Sequence, residues 1–213
     1  MKQLPSTEKG KKKLLESIAG ELPVLGSTVK AIHQFRIEEQ NKRFNQFIEH
    51  SGIDDNFILT LKDNPKQKSL LLEYVETVLN TPLSEVCLAL ALIIKDDSIG
   101  ESLKSVYATS LKGISQGSCN VFIKLMDYLN DHKKEDLKQI LSGERKRTLL
   151  PIHDSGIEKS ERELGAFIRD LNARGIVETG GLADNHGNNT GCNLTSIYLY
   201  EKLSLARNIC KDD

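Results

Sequence analysis

Val86-Cys87-Leu88-Ala89-Leu90-Ala91-Leu92-Ile93-Ile94 is the longest unbroken apolar run in the chain, nine residues in all. Thr81-Pro82 before it and Asp96-Asp97-Ser98 after it mark the ends of a helix. Apolar on every side, that helix belongs in the centre of a packed body. A bilayer span needs roughly 20 such residues, so the run is too short to cross a membrane.

The helical texture continues on both sides of this centre. Upstream, Asp54 opens a short helix over residues 54–62, and Pro65 sits in the first turn of another that runs to about Asn80. Downstream, Asp96-Asp97-Ser98 caps a helix over residues 99–114. Residues 119–129 follow, with Val121, Phe122, Leu125, Met126 and Leu129 facing inward, and a weaker helix over 131–141 ends at Ser142-Gly143. Towards the amino terminus, Val29, Ile32, Ile37, Phe44, Phe47 and Ile48 share one broad face of a helix over 27–50. Arg36, Gln40 and Arg43 intrude on that face, and Phe35 falls outside it. Such a helix is about 35 Å long and packs across others or against a partner. Ahead of it, Leu14, Leu15, Ile18, Leu22 and Leu25 mark a helix broken by Gly20, Pro23 and Gly26, behind a basic tail over 1–13.

Composition agrees with a helical protein. The 213 residues are 38% apolar, 28% charged and 5% aromatic, with no Trp, five prolines and a formal net charge of -1. At about 150 residues per domain this makes one or two domains. No secretory leader is visible, and Cys87, Cys119, Cys192 and Cys210 include no CxxC pair, so they read as reduced thiols. The expectation is a soluble, cytoplasmic protein.

Gly143, Pro151 and Gly156 bracket a stretch without periodicity that includes Arg145-Lys146-Arg147. It divides the chain into a helical domain over 14–143, a linker over 144–157 and a C-terminal unit over 158–213. In that unit residues 158–174 form a helix with Leu164, Phe167, Ile168 and Leu171 apolar, and Ser160-x-x-Glu163 spells a capping box. Gly175 ends the helix, Ile176-Val177-Glu178 reads as a strand, and 180–191 is a Gly/Asn-rich loop. Cys192-Asn193-Leu194 pairs back as a second strand, and Thr195 caps a last helix.

The order Leu164-x-x-Phe167-Ile168-x-x-Leu171-x-x-Arg174-Gly175-Ile176-Val177-Glu178, then Asn193-Leu194-Thr195, resembles the third helix and wing of winged-helix domains. The fold class is therefore mainly α, a bundle of about ten helices with a small C-terminal winged-helix-like unit containing a short β-hairpin. The longer layout resembles the bacterial Abi-alpha (abortive-infection alpha) proteins. The resembling features are Pro23-Val24-Leu25 leading into a long charged helix, the central apolar helices, and the ending from Arg174-Gly175-Ile176 to Leu194-Thr195. That resemblance implies a link to phage defence and carries over no catalytic residues.

Three function classes follow. The favoured one is a non-catalytic interaction or regulatory protein, engaging a protein partner or a second copy. The second is a DNA-binding regulator using Arg145, Lys146, Arg147, Lys159, Arg162, Arg169 and Arg174 on phosphates. It is opposed by Glu158, Glu161, Glu163 and Asp170 on the same helix, and by 10 Lys and Arg against 11 Asp and Glu over 144–213. The third is a membrane-surface effector, with Lys11, Lys12 and Lys13 on anionic lipid ahead of the leucines of 14–25.

Catalytic patterns are weaker. Gly113-Ile114-Ser115-Gln116-Gly117 spells GxSxG, with Asp154 and His186 later in the order an α/β-hydrolase uses. That motif works only at a strand-to-helix turn over a parallel sheet, and here a helix precedes it, so a helix connector is the better reading. His153-Asp154 as an acid/base pair and Cys119 as a nucleophile lack a supporting pattern. Asp184, His186 and Cys192 form a lone loop trio where a zinc site wants four paired ligands. No catalytic residue, metal, cofactor or small-molecule substrate is expected.

Overall fold

The computed structural model describes residues 27–54, 57–58, 61, 64–150, 152, 156–179 and 190–212. Residues 1–26, with the expected lysine tail and broken helix, lie outside these. The chain clusters into two units, residues 1–39 and 40–213. Helix α1 (Ser27–Ser51) has its first part in the former and its second part in the latter. In the first part Gln34 donates to Glu38 at 3.4 Å and Phe35 stands 68% exposed, in keeping with its place off the apolar face. In the second, Phe44 and Phe47 are buried, and the intruding Gln40 spends its amide on the Leu79 carbonyl at 2.9 Å.

The second unit is helical with a small sheet. Its further helices are α2 (Pro65–Asn80), α3 (Ser84–Lys95), α4 (Glu101–Leu111), α5 (Gln116–His132), α6 (Lys134–Leu141), α7 (Glu161–Ala173) and α8 (Leu194–Asp212). At α2 the Asn64 side chain accepts from the Gln67 N–H and Pro65 fills the first turn, where a missing N–H costs nothing. The centre is α3: Val86, Cys87, Leu88, Ala89, Leu90, Ala91 and Ile93 are all inaccessible. Helix α8 packs along it through Leu199, Leu203 and Ala206, all buried. Ion pairs from Arg207 to Glu85 (3.6 Å) and from Lys202 to Asp96 (2.7 Å) flank that contact and show that the two helices run antiparallel. Helix α2 meets α4 through Glu73, which accepts from Ser105 (2.7 Å) and Thr109 (2.8 Å). Around residues 54–61, Asp54 caps a helical turn by accepting from the Phe57 N–H at 2.7 Å.

Several expected ends move by a few residues, each for a local reason. Helix α4 starts at Glu101 because Asp96 turns back on the Ser98 N–H and hydroxyl, leaving Gly100 as the cap. It stops at Leu111, and Gly113 takes a φ of +66° that a side chain would oppose. Helix α5 begins at Gln116, earlier than expected, because Ser115 caps it by accepting from the Ser118 N–H. Asn193, and not Thr195, caps α8: its Oδ1 accepts from the Ser196 N–H, and its own N–H donates to Ser196 Oγ, both at 3.1 Å.

The sheet has three antiparallel strands, β1 (Thr148–Leu149), β2 (Glu178–Thr179) and β3 (Thr190–Cys192), in the order β1-β3-β2. The segment read as an aperiodic linker therefore contributes an edge strand, in the register Thr148 with Cys192 and Leu149 with Gly191. Two residues are too few to show an alternation in sequence. The hairpin also shifts. Ile176 and Val177, expected in a strand, instead bury their side chains and donate both N–H groups to the Leu171 carbonyl at the end of α7, so pairing starts at Glu178.

Candidate functional site

Among the sequence-derived candidates, the largest group that the structure places on one element is on α7. Ser160 and Glu163 form the capping box, with Ser160 Oγ donating to Glu163 at 2.7 Å and the Glu163 N–H donating back to Ser160 Oγ at 3.3 Å. The bonds from Ser160's hydroxyl, then from its N–H, hold the Glu163 carboxyl below its ordinary range. Leu164, Ile168 and Leu171 are buried against the body. Arg162, Ala166, Arg169 and Ala173 recur at i, i+4, i+7 and i+11, and all four are exposed.

Helix α7 is fixed to the start of α5 by a polar and an apolar contact side by side. Asp170 accepts from the buried Ser118 hydroxyl at 2.5 Å and from Arg174 Nε at 2.8 Å. The other two nitrogens of Arg174 donate to the carbonyls of Lys112 and Gly113 in the α4–α5 turn. Beside this network the Phe167 ring occupies the place where Gly117 lacks a side chain: a Cβ on Gly117 would stand 2.3 Å from Phe167 Cε1. Lys159 closes over that ring, 5.5 Å from its centroid.

The other candidates separate from this face. Arg145 pairs with Asp136 of α6 at 2.8 Å and its N–H donates to the Gln139 carbonyl. Arg147 lies over β3, since a Cβ on Gly191 would stand 3.2 Å from its Cδ. Lys146 is exposed. Arg174, offered on sequence as a phosphate contact, is turned inward and engaged three times over. Lys11, Lys12 and Lys13, His153 and Asp154, and Asp184 and His186 lie outside the described residues.

Of the GxSxG letters, Ser115 is a helix cap, Gly113 a helix stop and Gly117 a packing contact. The three buried cysteine thiols are raised, chiefly by burial: Cys87 to about 12, Cys119 and Cys192 to about 11. A nucleophilic thiol needs the opposite shift. Among the described residues no His/Cys/Asp/Glu group is arranged to hold a metal, and no helix is long and apolar enough to cross a membrane.

Sequence reasoning found the capping box and the apolar stripe of α7 but missed the Ser118–Asp170–Arg174 joint. The i, i+4 spacing of Asp170 and Arg174 was a legible signal; Ser118, 52 positions before Asp170, gave none. No protein-family model, curated protein or solved structure matches this chain.

Proposed function

We propose that the protein is a non-catalytic regulatory protein that binds a protein partner through its winged-helix-like C-terminal unit. The supporting observation is α7 itself, whose inner stripe is packed and whose outer stripe is presented to solvent, followed in the chain by the β2–β3 hairpin. The joint to α5 adds to this by fixing where the outer stripe points. The Abi-alpha-like layout extends the proposal to phage defence.

A partner-binding reading predicts that a photoreactive amino acid at Ala166 traps a protein inside the cell. The same group at Lys134, on a different helix, traps none at that level. Absence of any adduct at Ala166 under conditions where a control protein crosslinks would end the reading. DNA binding is the second reading, favoured specifically by the exposed Arg162 and Arg169. Retention of the intact chain on duplex DNA at low salt, lost on Arg162→Ala with Arg169→Ala, would replace the first reading with this one.

A further inference from the structure

We propose that the outer face of α7 docks an acidic α-helix of a partner protein, with Arg162 and Arg169 as its two charged anchors. This rests on the reading of the C-terminal unit as a protein-binding module and names the chemistry of its partner. Seven residues at 1.5 Å each place the two arginines about 10.5 Å apart along the axis, two turns on one face. Ala166 between them and Ala173 beyond are both exposed, and their methyl groups let a second helix come within the ~8–10 Å of close helix packing.

A facing helix with carboxylates seven residues apart repeats the same spacing. Each guanidinium then meets one carboxylate in the planar, two-bond geometry that arginine favours. Two acids of α7 are drawn off: Glu163 is bound into the cap, and Asp170 into the joint with Ser118 and Arg174. Among the described residues neither Arg162 nor Arg169 makes an ion pair.

Duplex DNA fits the same face less well. It presents a negative charge every ~1.7 Å, and favourable binding depends on many cations displacing counterions together. Here residues 144–213 carry 10 Lys and Arg against 11 Asp and Glu, and Glu158 is exposed at the approach to α7. Two of the four outer positions are alanines, which offer bases no hydrogen bond. An acidic helix places its charge only where the arginines stand.

The test uses the intact chain and a fluorescent, alanine-rich helical peptide of about 20 residues, long enough to hold a helix, with glutamates seven apart on one face. Comparators are the same peptide with lysines and a DNA duplex of about 20 base pairs. At low salt the acidic peptide binds and the lysine peptide does not. Arg162→Ala with Arg169→Ala lowers the peptide affinity about tenfold or more, as expected for losing two charge-assisted contacts. Both positions are exposed, so circular dichroism of the variant stays unchanged. Lys146→Ala, away from the face, leaves affinity within about twofold. Equal affinity of the double variant overturns the proposal, as does tighter, Arg162- and Arg169-dependent binding of the duplex. A protein adduct at Ala166 without preference for the acidic peptide overturns the partner chemistry alone; no adduct at all overturns the module reading beneath it.

Discussion

Gly117→Ala tests the joint that fixes α7. The new Cβ would lie 2.3 Å from Phe167 Cε1, 2.5 Å from Cζ and 3.2 Å from Cδ1. Carbon atoms prefer about 3.5–4.0 Å, so the ring must retreat by roughly 1.2 Å or more. Overpacking of this kind costs about 1–3 kcal/mol. Alanine offsets about 1 kcal/mol of that through its better helix propensity. The expected net effect is a destabilisation of up to about 2 kcal/mol, read as a shift of the urea midpoint with unchanged slope. Removing the ring reverses the sign: in a Phe167→Ala background, Gly117→Ala stabilises by up to about 1 kcal/mol, because only propensity remains. The coupling in the double-mutant cycle is then about 2 kcal/mol. Equal effects of Gly117→Ala in the two backgrounds would refute the contact, and with it the account of Gly117 as a packing glycine.

The polar half of the joint predicts that Arg174→Lys is not conservative. A single ammonium replaces bonds to Asp170, Lys112 and Gly113, at a cost of about 1–3 kcal/mol in chemical denaturation, and a loss below about 0.3 kcal/mol would show the contacts idle. Asp96 gives a pH dependence. Hydrogen bonds from Lys202, then Ser98 and Tyr198, hold its carboxyl well below the usual range. Because the folded value lies beneath the unfolded value of about 3.9, the stabilisation is complete well above that pH and is lost as pH falls towards the folded value. Asp96→Asn should flatten the acid limb of the melting-temperature profile below about pH 4, and a limb parallel to that of the parent protein would contradict the assignment. Thiol labelling of the native protein near neutral pH should modify Cys210, which is partly exposed, well before the buried Cys87, Cys119 and Cys192. Equal rates for all four, measured by peptide mass mapping, would show that the core opens.

Legibility followed the range of the forces involved. Helix α3 announced itself because nine consecutive apolar residues have one sensible environment, and the α7 cap because Ser160 and Glu163 act across a single turn. Strand β1 was hidden because its pairing partner is Cys192 and Gly191, more than 40 residues away, and its two residues carry no period of their own. The cap of α8 was misplaced by two positions because Asn193, Thr195 and Ser196 are all residues that cap, and only the packing of Ser196 against the Ile176 carbonyl at 2.6 Å selects among them. Arg174 was the costlier misreading for function. By charge and place it resembled its neighbours Arg162 and Arg169, but its targets are main-chain carbonyls about 60 residues earlier, which no local pattern encodes.

That distinction changes what the basic residues imply. Counted in sequence, Arg145, Lys146, Arg147, Lys159, Arg162, Arg169 and Arg174 make seven cations near one helix. In the fold, Arg145 neutralises Asp136, Arg147 covers Gly191, Lys159 sits on Phe167 and Arg174 closes the α4–α5 turn. Of these seven, only Arg162, Arg169 and Lys146 stand exposed with neither an ion pair nor a ring contact among the described residues. A charged polymer read by many phosphates needs the larger number, whereas a discrete acidic segment needs only the two that share α7. The internal engagements are therefore what tilts the balance from nucleic acid towards a protein partner, and each can be released singly. If Arg145→Ala freed no measurable stability while weakening binding of duplex DNA, the division between structural and presented cations would be wrong at its first member.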